Sequence, residues 1–195
     1  MPNKPITKNE EIAWKLAIEK HKGQVRKFSG EPYFDAHVQK VNGTVKLYTT
    51  DEDLLIASIL NDLPEDCYDN IWDGYAEIKR IFGKRVADLV MELTSNEDEM
   101  KHRYDGNKKD YLVYKLTHMS DDALIIKLCD RLKNIEDAFT ASEKFRKNYF
   151  NETVALMKAV EGRSLNRIQT LLVGEINSKL DNISSIFKIK RVSEI

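Results

Sequence analysis

Residues that interrupt helices are scarce in this sequence. Its 195 residues include only eight glycines and four prolines, and three of the prolines lie before residue 33. Because glycine and proline are the strongest helix breakers, a chain with so few of them can be helical through most of its length. No segment is a convincing strand. The sequence therefore predicts an all-α fold.

Other absences narrow the class of protein. Lys and Arg total 31 against 32 for Asp and Glu, so the chain lacks the basic footprint of a general nucleic-acid binder. No apolar run is long enough to span a bilayer, and the first residues lack the hydrophobic core of a secretion signal. Cys67 and Cys129 are too few for a disulfide framework and lack metal-motif spacing. We expect a cytoplasmic protein with no nucleic-acid or membrane partner.

Helical periodicity divides the chain into segments. It predicts a first helix from Thr7 to about Gly23, a second from Tyr33, a buried central helix over 53–62, a break at Gly83, and further helices from Tyr111 onward. The polar stretch 95–109 is predicted as a loop. No repeat or low-complexity linker marks a boundary, so we expect a single domain over residues 1–195.

The C-terminal segment, about 161–195, carries one apolar stripe. The stripe is explained equally well by packing onto the core and by a homodimer contact, and it comprises Leu165, Ile168, Leu172, Ile176, Leu180 and Ile183.

Polar residues follow the most hydrophobic helix. Asn61, Asp62, Glu65 and Asp66 come directly after DLLIASIL. Carboxylates at the mouth of a core helix are costly unless they are paired, hydrated or bound to a cation. The alternative is a solvated helix end, but the helix dipole disfavours acidic groups there. The pattern favours a cation site.

The segment ALIIKLCDRLKNIED combines an apolar face with a polar one. Lys127, Asp130, Arg131 and Asn134 share the polar face at helical spacing. Taken alone, such a stripe is most simply a solvated surface. It also contains the acid, bases and amide that a metal-and-phosphate site requires.

His37 and a basic pair complete the candidate residues. A lone helix histidine is more often structural than a ligand, but with Asp62 and Asp130 it forms a nitrogen and oxygen set that suits Mn, Fe or Zn. Arg26 and Lys27 lie together in a polar turn, where adjacent cations can hold phosphate oxygens. A generic basic turn would look similar.

Four segments in order resemble the hydrolase domain of RelA/SpoT homologues, especially its small stand-alone versions. They are HKGQVRKFSGEPYFDAH, ILNDLPED, IKRIFGKRVADLVMELT and IKLCDRLKN, and they fall within about residues 10–160. The resemblance implies a single-domain helical bundle of the HD superfamily with one Mn²⁺. It implies a cytoplasmic enzyme, in a bacterial or phage-infected cell, that degrades the alarmones ppGpp and pppGpp to GDP or GTP and pyrophosphate.

The resemblance also assigns roles residue by residue. The implied metal ligands are His37, Asn61, Asp62 and Asp130. The implied catalytic acids are Glu65 and Asp66. The residues implied to bind substrate are Arg26, Lys27, Ser29, Lys127, Asn134, Arg146 and Tyr149, of which Arg146 and Tyr149 lie one residue out of the family's spacing.

Asn61 departs from the family, which has histidine at this position. Three explanations remain open: a site of three protein ligands completed by water, a protein that binds alarmones without cleaving them, or an engineered inactivating change. Two other activities also remain. The family-specific RKFSGEPY loop argues against a 5′-nucleotidase, whereas a phosphatase of NADPH is harder to exclude.

Overall fold

The computed structural model describes residues 4–27 and 29–189. Within them the regular secondary structure is helical, apart from one isolated β-bridge between Val25 and Pro32. The predicted all-α class is therefore confirmed. Residues 1–3, Phe28 and the end of the predicted C-terminal segment, 190–195, lie outside the described residues.

The chain forms two compact units, Met1–Asn96 and Glu97–Ile195. The first unit contains α1 (Lys8–Lys20), a π-helix (Phe34–Val38) that runs into α2 (Gln39–Val45), α3 (Glu52–Leu60), α4 (Leu63–Cys67), α5 (Ile71–Phe82) and α6 (Lys84–Leu93). The second contains α7 (Glu97–Tyr104), α8 (Lys108–His118), α9 (Asp121–Ala138), α10 (Glu143–Glu161) and α11 (Arg167–Phe187). The single-domain expectation stays a prediction.

Helix α3 is the centre of the first unit. All its residues from Leu54 to Leu60 are buried, and it packs against α1, α2 and α6. The Asp51 side chain caps its first turn by accepting a hydrogen bond from the Asp53 backbone N–H. Helix α3 ends at Leu60, and a new short helix, α4, begins at Leu63 with Pro64 in its first turn. Glu65 and Asp66 therefore lie on α4 rather than at the end of the central helix.

Helix α9 is the corresponding element of the second unit. Helices α10 and α11 both pack against it, and α8 packs against α10. Four members of the predicted C-terminal stripe are buried within the chain, namely Leu172, Ile176, Leu180 and Ile183. Packing within the unit accounts for these four, and the homodimer stays a prediction.

The predicted loop over 95–109 is wrong, because most of it forms α7. This helix has no buried residue, so apolar periodicity could not reveal it. Ion pairs four residues apart join Lys101 to Glu97 (3.5 Å) and Arg103 to Glu99 (2.7 Å). Acidic residues in the first turn and basic ones in the last also match the helix dipole.

None of the helices in the described residues is long and apolar enough to cross a membrane.

Candidate functional site

The turn that follows α1 presents the basic pair. Backbone hydrogen bonds run from Arg26 N–H to the Glu31 carbonyl (2.8 Å), and from Gly30 N–H to the Arg26 carbonyl (2.9 Å). Gly30 takes a φ of +71°, a conformation that glycine adopts without strain. The Ser29 hydroxyl accepts a hydrogen bond from the Glu31 N–H at 3.3 Å. These hydrogen bonds hold the Arg26 backbone at the base of the turn.

His37 lies in the π-helix and is only 2% exposed. Each π-turn contains one residue more than an α-turn, which rotates the following side chains, and such turns are frequent at functional sites. The sequence predicted a helix here but gave no signal of the π-turn. Burial agrees with either interpretation of this histidine, as a structural residue or as a ligand.

Asp62 is the meeting point of three side chains. The Tyr33 hydroxyl donates to its Oδ2 at 2.8 Å, and the Asn61 amide donates to its Oδ1 at 2.8 Å. His37 Nε2 lies 3.8 Å from Asp62 Oδ2, which is too long for a hydrogen bond. Two ligands that share one ion through bonds of about 2.0–2.2 Å can stand up to roughly 4.2 Å apart. The His37 and Asp62 donors therefore fit a shared divalent cation.

Glu65 and Asp66 stand beside this group on α4. Desolvation by the surrounding protein raises the pKa of Asp66 to about 7, and the charges of Asp62 and Glu65 add to the rise. His37 and Arg26 act in the opposite direction. The Asp66 residue is exposed at the surface, so its carboxyl combines access to solvent with protein on its other sides. A carboxyl that titrates near neutral pH suits proton transfer.

Hydrogen bonds also hold the two acids in place. The Glu65 carboxylate accepts a hydrogen bond from the Ser95 backbone N–H, and the Gln24 side-chain amide donates to the Asp66 backbone carbonyl at 3.0 Å. Gln24 belongs to the turn that carries Arg26. The basic turn and the acidic helix α4 are thereby held together within the first unit.

The polar face of α9 forms the second group. Asp130 and Arg131 are 5% and 6% exposed, so the interpretation of this stripe as a solvated surface is wrong. Asp130 Oδ1 accepts from the Asn134 amide at 2.7 Å, and its Oδ2 lies 3.3 Å from Lys127 Nζ. Apolar periodicity alone does not predict this burial. Helix α10 covers part of the polar face through Glu152, and a contact with a helix later in the chain leaves no signal in the α9 sequence.

Arg131 is held by α10. Its guanidinium donates to Glu152 Oε1 at 2.8 Å and lies 4.7 Å from the centre of the Tyr149 ring. Tyr149 thus contacts Arg131, the residue that follows Asp130 in α9.

Arg146 has a different environment. Its guanidinium donates to the backbone carbonyls of Ala138, Phe139 and Ala141 at 2.8–3.3 Å, and it lies 3.6 Å from the centre of the Phe187 ring. These contacts fasten the end of α9 to α10 and explain the residue structurally. Its part in substrate binding stays a prediction.

Sequence reasoning missed Tyr33 and His21. Tyr33 bonds Asp62 and packs its ring against both His21 (4.9 Å between ring centres) and His37 (5.3 Å). His21 is 3% exposed, and its Nδ1 lies 2.7 Å from Gln24 Oε1. Both residues belong to the first motif, which was the available signal.

The predicted residues therefore fall into two groups, one in each unit. The first-unit group contains Arg26, His37, Asn61, Asp62, Glu65 and Asp66. The second-unit group contains Lys127, Asp130 and Asn134, while Tyr149 contacts the neighbouring Arg131. Across residues 4–27 and 29–189, no three His, Cys, Asp or Glu side chains form a cluster of the kind that holds a metal ion.

Comparison with known proteins identifies the family. A family model described as an HD domain matches residues 13–163, and the chain belongs to the HD domain family. A solved structure, described as a metazoan orthologue of SpoT that hydrolyses ppGpp, superposes with a TM-score of 0.74 over 96% of this chain and 99% of its own, at 24% identity. The HD-type helical fold is thus confirmed.

Two similar curated proteins carry the same enzyme name. The guanosine-3′,5′-bis(diphosphate) 3′-pyrophosphohydrolase of Aquifex aeolicus is 33% identical over 151 residues, 75% of this chain and 20% of that protein. The protein of that name called MESH1 in Drosophila melanogaster is 31% identical over 120 residues, 60% of this chain and 63% of that protein. The chain spans about a fifth of the length of the first of these relatives.

Proposed function

We propose that this chain is a Mn²⁺-dependent (p)ppGpp 3′-pyrophosphohydrolase. The observation that carries the proposal is the first-unit group, where a buried histidine and an aspartate stand at metal-sharing distance beside an acid with a pKa of about 7. The names of the curated relatives support the substrate class, and the RKFSGEPY turn supports recognition of a phosphorylated nucleotide.

His37, Asp62 and Asp130 would hold the ion, with Asn61 in the fourth position. When bound, a divalent cation supplies an activated water and polarises the phosphate that is attacked. Tyr33 orients the Asp62 carboxylate through its hydroxyl, and Asn134 orients Asp130 in the same way. Such supporting hydrogen bonds fix a ligand's orientation and strengthen its binding.

The proton chemistry falls to Glu65 and Asp66. Water attacks the phosphorus that is bonded to the 3′-oxygen. The bond between this phosphorus and the 3′-oxygen breaks, which gives GDP or GTP and pyrophosphate. One proton leaves the attacking water and one reaches the departing 3′-oxygen. With a pKa of about 7, Asp66 is present in both protonation states at neutral pH and is suited to either transfer.

Basic and amide side chains would bind the substrate. We assign Arg26, Lys27, Ser29 and Lys127 to the phosphates and the nucleotide, with Arg26 against the guanine, and Asn134, Arg146 and Tyr149 to further contacts. Cations that face a heavily phosphorylated substrate offset its charge and stabilise the charge that develops in the transition state.

Asn61 gives a specific reason to keep a second candidate, an alarmone-binding protein without turnover. Its amide nitrogen is bonded to Asp62 Oδ1, so its donor side is used within the dipeptide. A carboxamide oxygen is a weaker ligand for Mn²⁺ than an imidazole nitrogen. We therefore expect weak metal binding and slow cleavage in the chain as it stands.

The experiment is product analysis after incubation with ppGpp and Mn²⁺. We expect GDP and pyrophosphate, and loss of both in the Asp62→Asn variant. NADPH is the control substrate: release of phosphate from NADPH, with none of the two products from ppGpp, would favour the NADPH phosphatase. Micromolar ppGpp binding without either reaction would favour the binding protein.

A further inference from the structure

A groove in the second unit is lined by none of the residues assigned to the site above. It is a cavity of about 450 Å³ between the first turn of α8 and one face of α10. Small-molecule sites typically have volumes of about 300–1,000 Å³, so this groove can take a ligand of nucleotide size.

Two lysines give the groove its charge. Lys109 and Lys158 both line it and are exposed, and neither makes a hydrogen bond or ion pair with any residue in the described part of the chain. The groove also contains one acid, Glu152, but this carboxylate is paired with the buried Arg131 at 2.8 Å. The unmatched charge is therefore positive, which favours an anionic ligand.

The rest of the lining is suited to an organic body. Asn148 and Asn151 lie three residues apart on the groove face of α10, and Val154 and Ala155 supply apolar wall. The Asn151 Oδ1 atom is buried and has no hydrogen-bond partner among the described residues. A buried amide oxygen without a donor is costly, so a ligand that lets this side chain reorient and bond would be stabilised.

Glu152 connects the groove to the second-unit group. Its partner Arg131 is adjacent in sequence to Asp130 and lies over the Tyr149 ring at 4.7 Å. Arg131 Nη1 is also within 3.4 Å of the Thr153 hydroxyl. A ligand that shifts Glu152 must therefore disturb a buried guanidinium, and through it residues of the proposed active site.

We propose that this groove binds a small phosphate-bearing molecule of nucleotide size, and that its occupancy alters the proposed site through the Glu152–Arg131 ion pair. The lysines take the phosphates, while the asparagines and the apolar wall contact the organic body. The binding part stands by itself. The regulatory part rests on the proposed function.

Calorimetric titration of the full chain with GTP tests the binding part. The titrations are made with the Arg26→Ala variant as the parent, because this substitution weakens nucleotide binding at the proposed substrate site. The Lys109→Ala, Lys158→Ala double variant should bind GTP at least ten-fold more weakly than its parent. The matched control is Lys147→Ala, an exposed lysine of α10 outside the groove, which should stay within two-fold. Equal affinity in the double variant and its parent, or no GTP binding to any form, would overturn the proposal.

Pyrophosphate distinguishes a ligand with an organic body from phosphate alone. GTP should bind the groove more tightly than pyrophosphate, because only GTP reaches the asparagines and the apolar wall. Pyrophosphate binding as tightly as GTP would contradict a ligand of nucleotide size.

Turnover tests the regulatory part. In the Asn61→His variant, GTP should change the kcat for ppGpp cleavage at saturating substrate. Competition between GTP and ppGpp at the substrate site leaves kcat unchanged, so a change in kcat reports binding elsewhere. The change should disappear in the double lysine variant and in Glu152→Gln, which keeps the side chain's shape but loses its charge. An unchanged kcat in all forms would refute the coupling. If no form cleaves ppGpp, the proposed function fails, and the calorimetry still decides whether the groove binds a ligand.

Discussion

Tyr33 contacts three residues of the first-unit group, Asp62, His37 and Arg26. Its hydroxyl bonds Asp62, its ring packs on His21 and His37, and the Arg26 guanidinium lies 5.6 Å from its centre. It therefore links the basic turn to the proposed metal ligands. Removal of the hydroxyl should disturb the site more than the fold.

The Tyr33→Phe variant tests this assignment. Loss of a hydrogen bond that orients a metal ligand commonly costs about 10–100-fold in metal affinity or activity. We expect Mn²⁺ affinity to fall by at least ~10-fold, while the unfolding midpoint changes little because the ring remains. Titration with Mn²⁺ measures it. Tyr75→Phe, which removes a half-buried hydroxyl bonded to Asp88, is the control and should leave Mn²⁺ affinity unchanged.

Asp66 makes a prediction about pH. Its pKa in the folded protein is about 7, against a reference value of 3.8. Between these values the folded state binds more protons than the unfolded state, so stability falls as pH rises from about 4 to about 7 and is level above that. Solvent at the exposed side of the residue reduces the size of this effect.

The Asp66→Asn variant removes that dependence. We compare the free energy of unfolding of this variant with that of the unsubstituted chain, both metal-free. The difference, variant minus unsubstituted chain, should increase from pH 4.5 to pH 8. Urea denaturation at the two pH values measures it. Asp69→Asn, at an exposed position just after α4, should show no such increase. A difference that is the same at both pH values would show that Asp66 titrates normally.

Residue-level prediction from the sequence succeeded unevenly for physical reasons. Apolar periodicity finds aliphatic faces, so it indicated the buried helix α3 and the polar group that follows it. It says nothing about Tyr33 or His21, whose rings pack against each other across separate segments. It also treated Asp130 and Arg131 as surface residues, because their burial depends on α10, which follows later in the chain.

At the scale of elements, glycine fixes the break between α5 and α6. Gly83 takes φ +89° and ψ 174°, a region that is essentially restricted to glycine. A Cβ placed there would meet nothing within 4 Å, so any cost of substitution comes from the backbone alone. This break allows α5 and α6 to pack against each other and α6 to reach α3.

Gly83→Ala should therefore destabilise the chain by about 1–3 kcal/mol. The matched control is Gly174→Ala, within α11, where a Cβ also has open space but the backbone is helical. Alanine there should stabilise by up to about 1 kcal/mol. Thermal or urea unfolding measures both. Similar effects at the two positions would show that backbone conformation at Gly83 is not what limits substitution.

The sequence predicted the break at Gly83, because glycine is a local signal, but not the break between α10 and α11. Of the two candidate caps for α1, Thr7 and Asn9, the Thr7 side chain forms the cap by accepting from the Glu10 N–H. Helix α7 and the π-helix at His37 were missed. The first is stabilised by charge pairs without an apolar face, and the second is a local rearrangement of helical hydrogen bonds that composition does not encode.

At the scale of the whole molecule, the low glycine and proline content correctly predicted the all-α class, and the ordered motifs correctly predicted the HD family. The ordering of those motifs carries more information than any one of them. His37 lies in the π-helix, Asp62 in the turn between α3 and α4, and Asp130 in α9. The metal, the substrate and the effect of Asn61 are chemical properties that the fold alone does not fix.

The most direct test of the proposed function is Mn²⁺-dependent pyrophosphate release from ppGpp by the chain with Asn61 and by Asn61→His. Imidazole at position 61 should supply a strong metal ligand, so we expect the histidine variant to release pyrophosphate at least ~10-fold faster than the chain with Asn61, with Mn²⁺ required. If both forms are folded and bind Mn²⁺ but neither releases pyrophosphate from ppGpp, the chain is not an alarmone hydrolase.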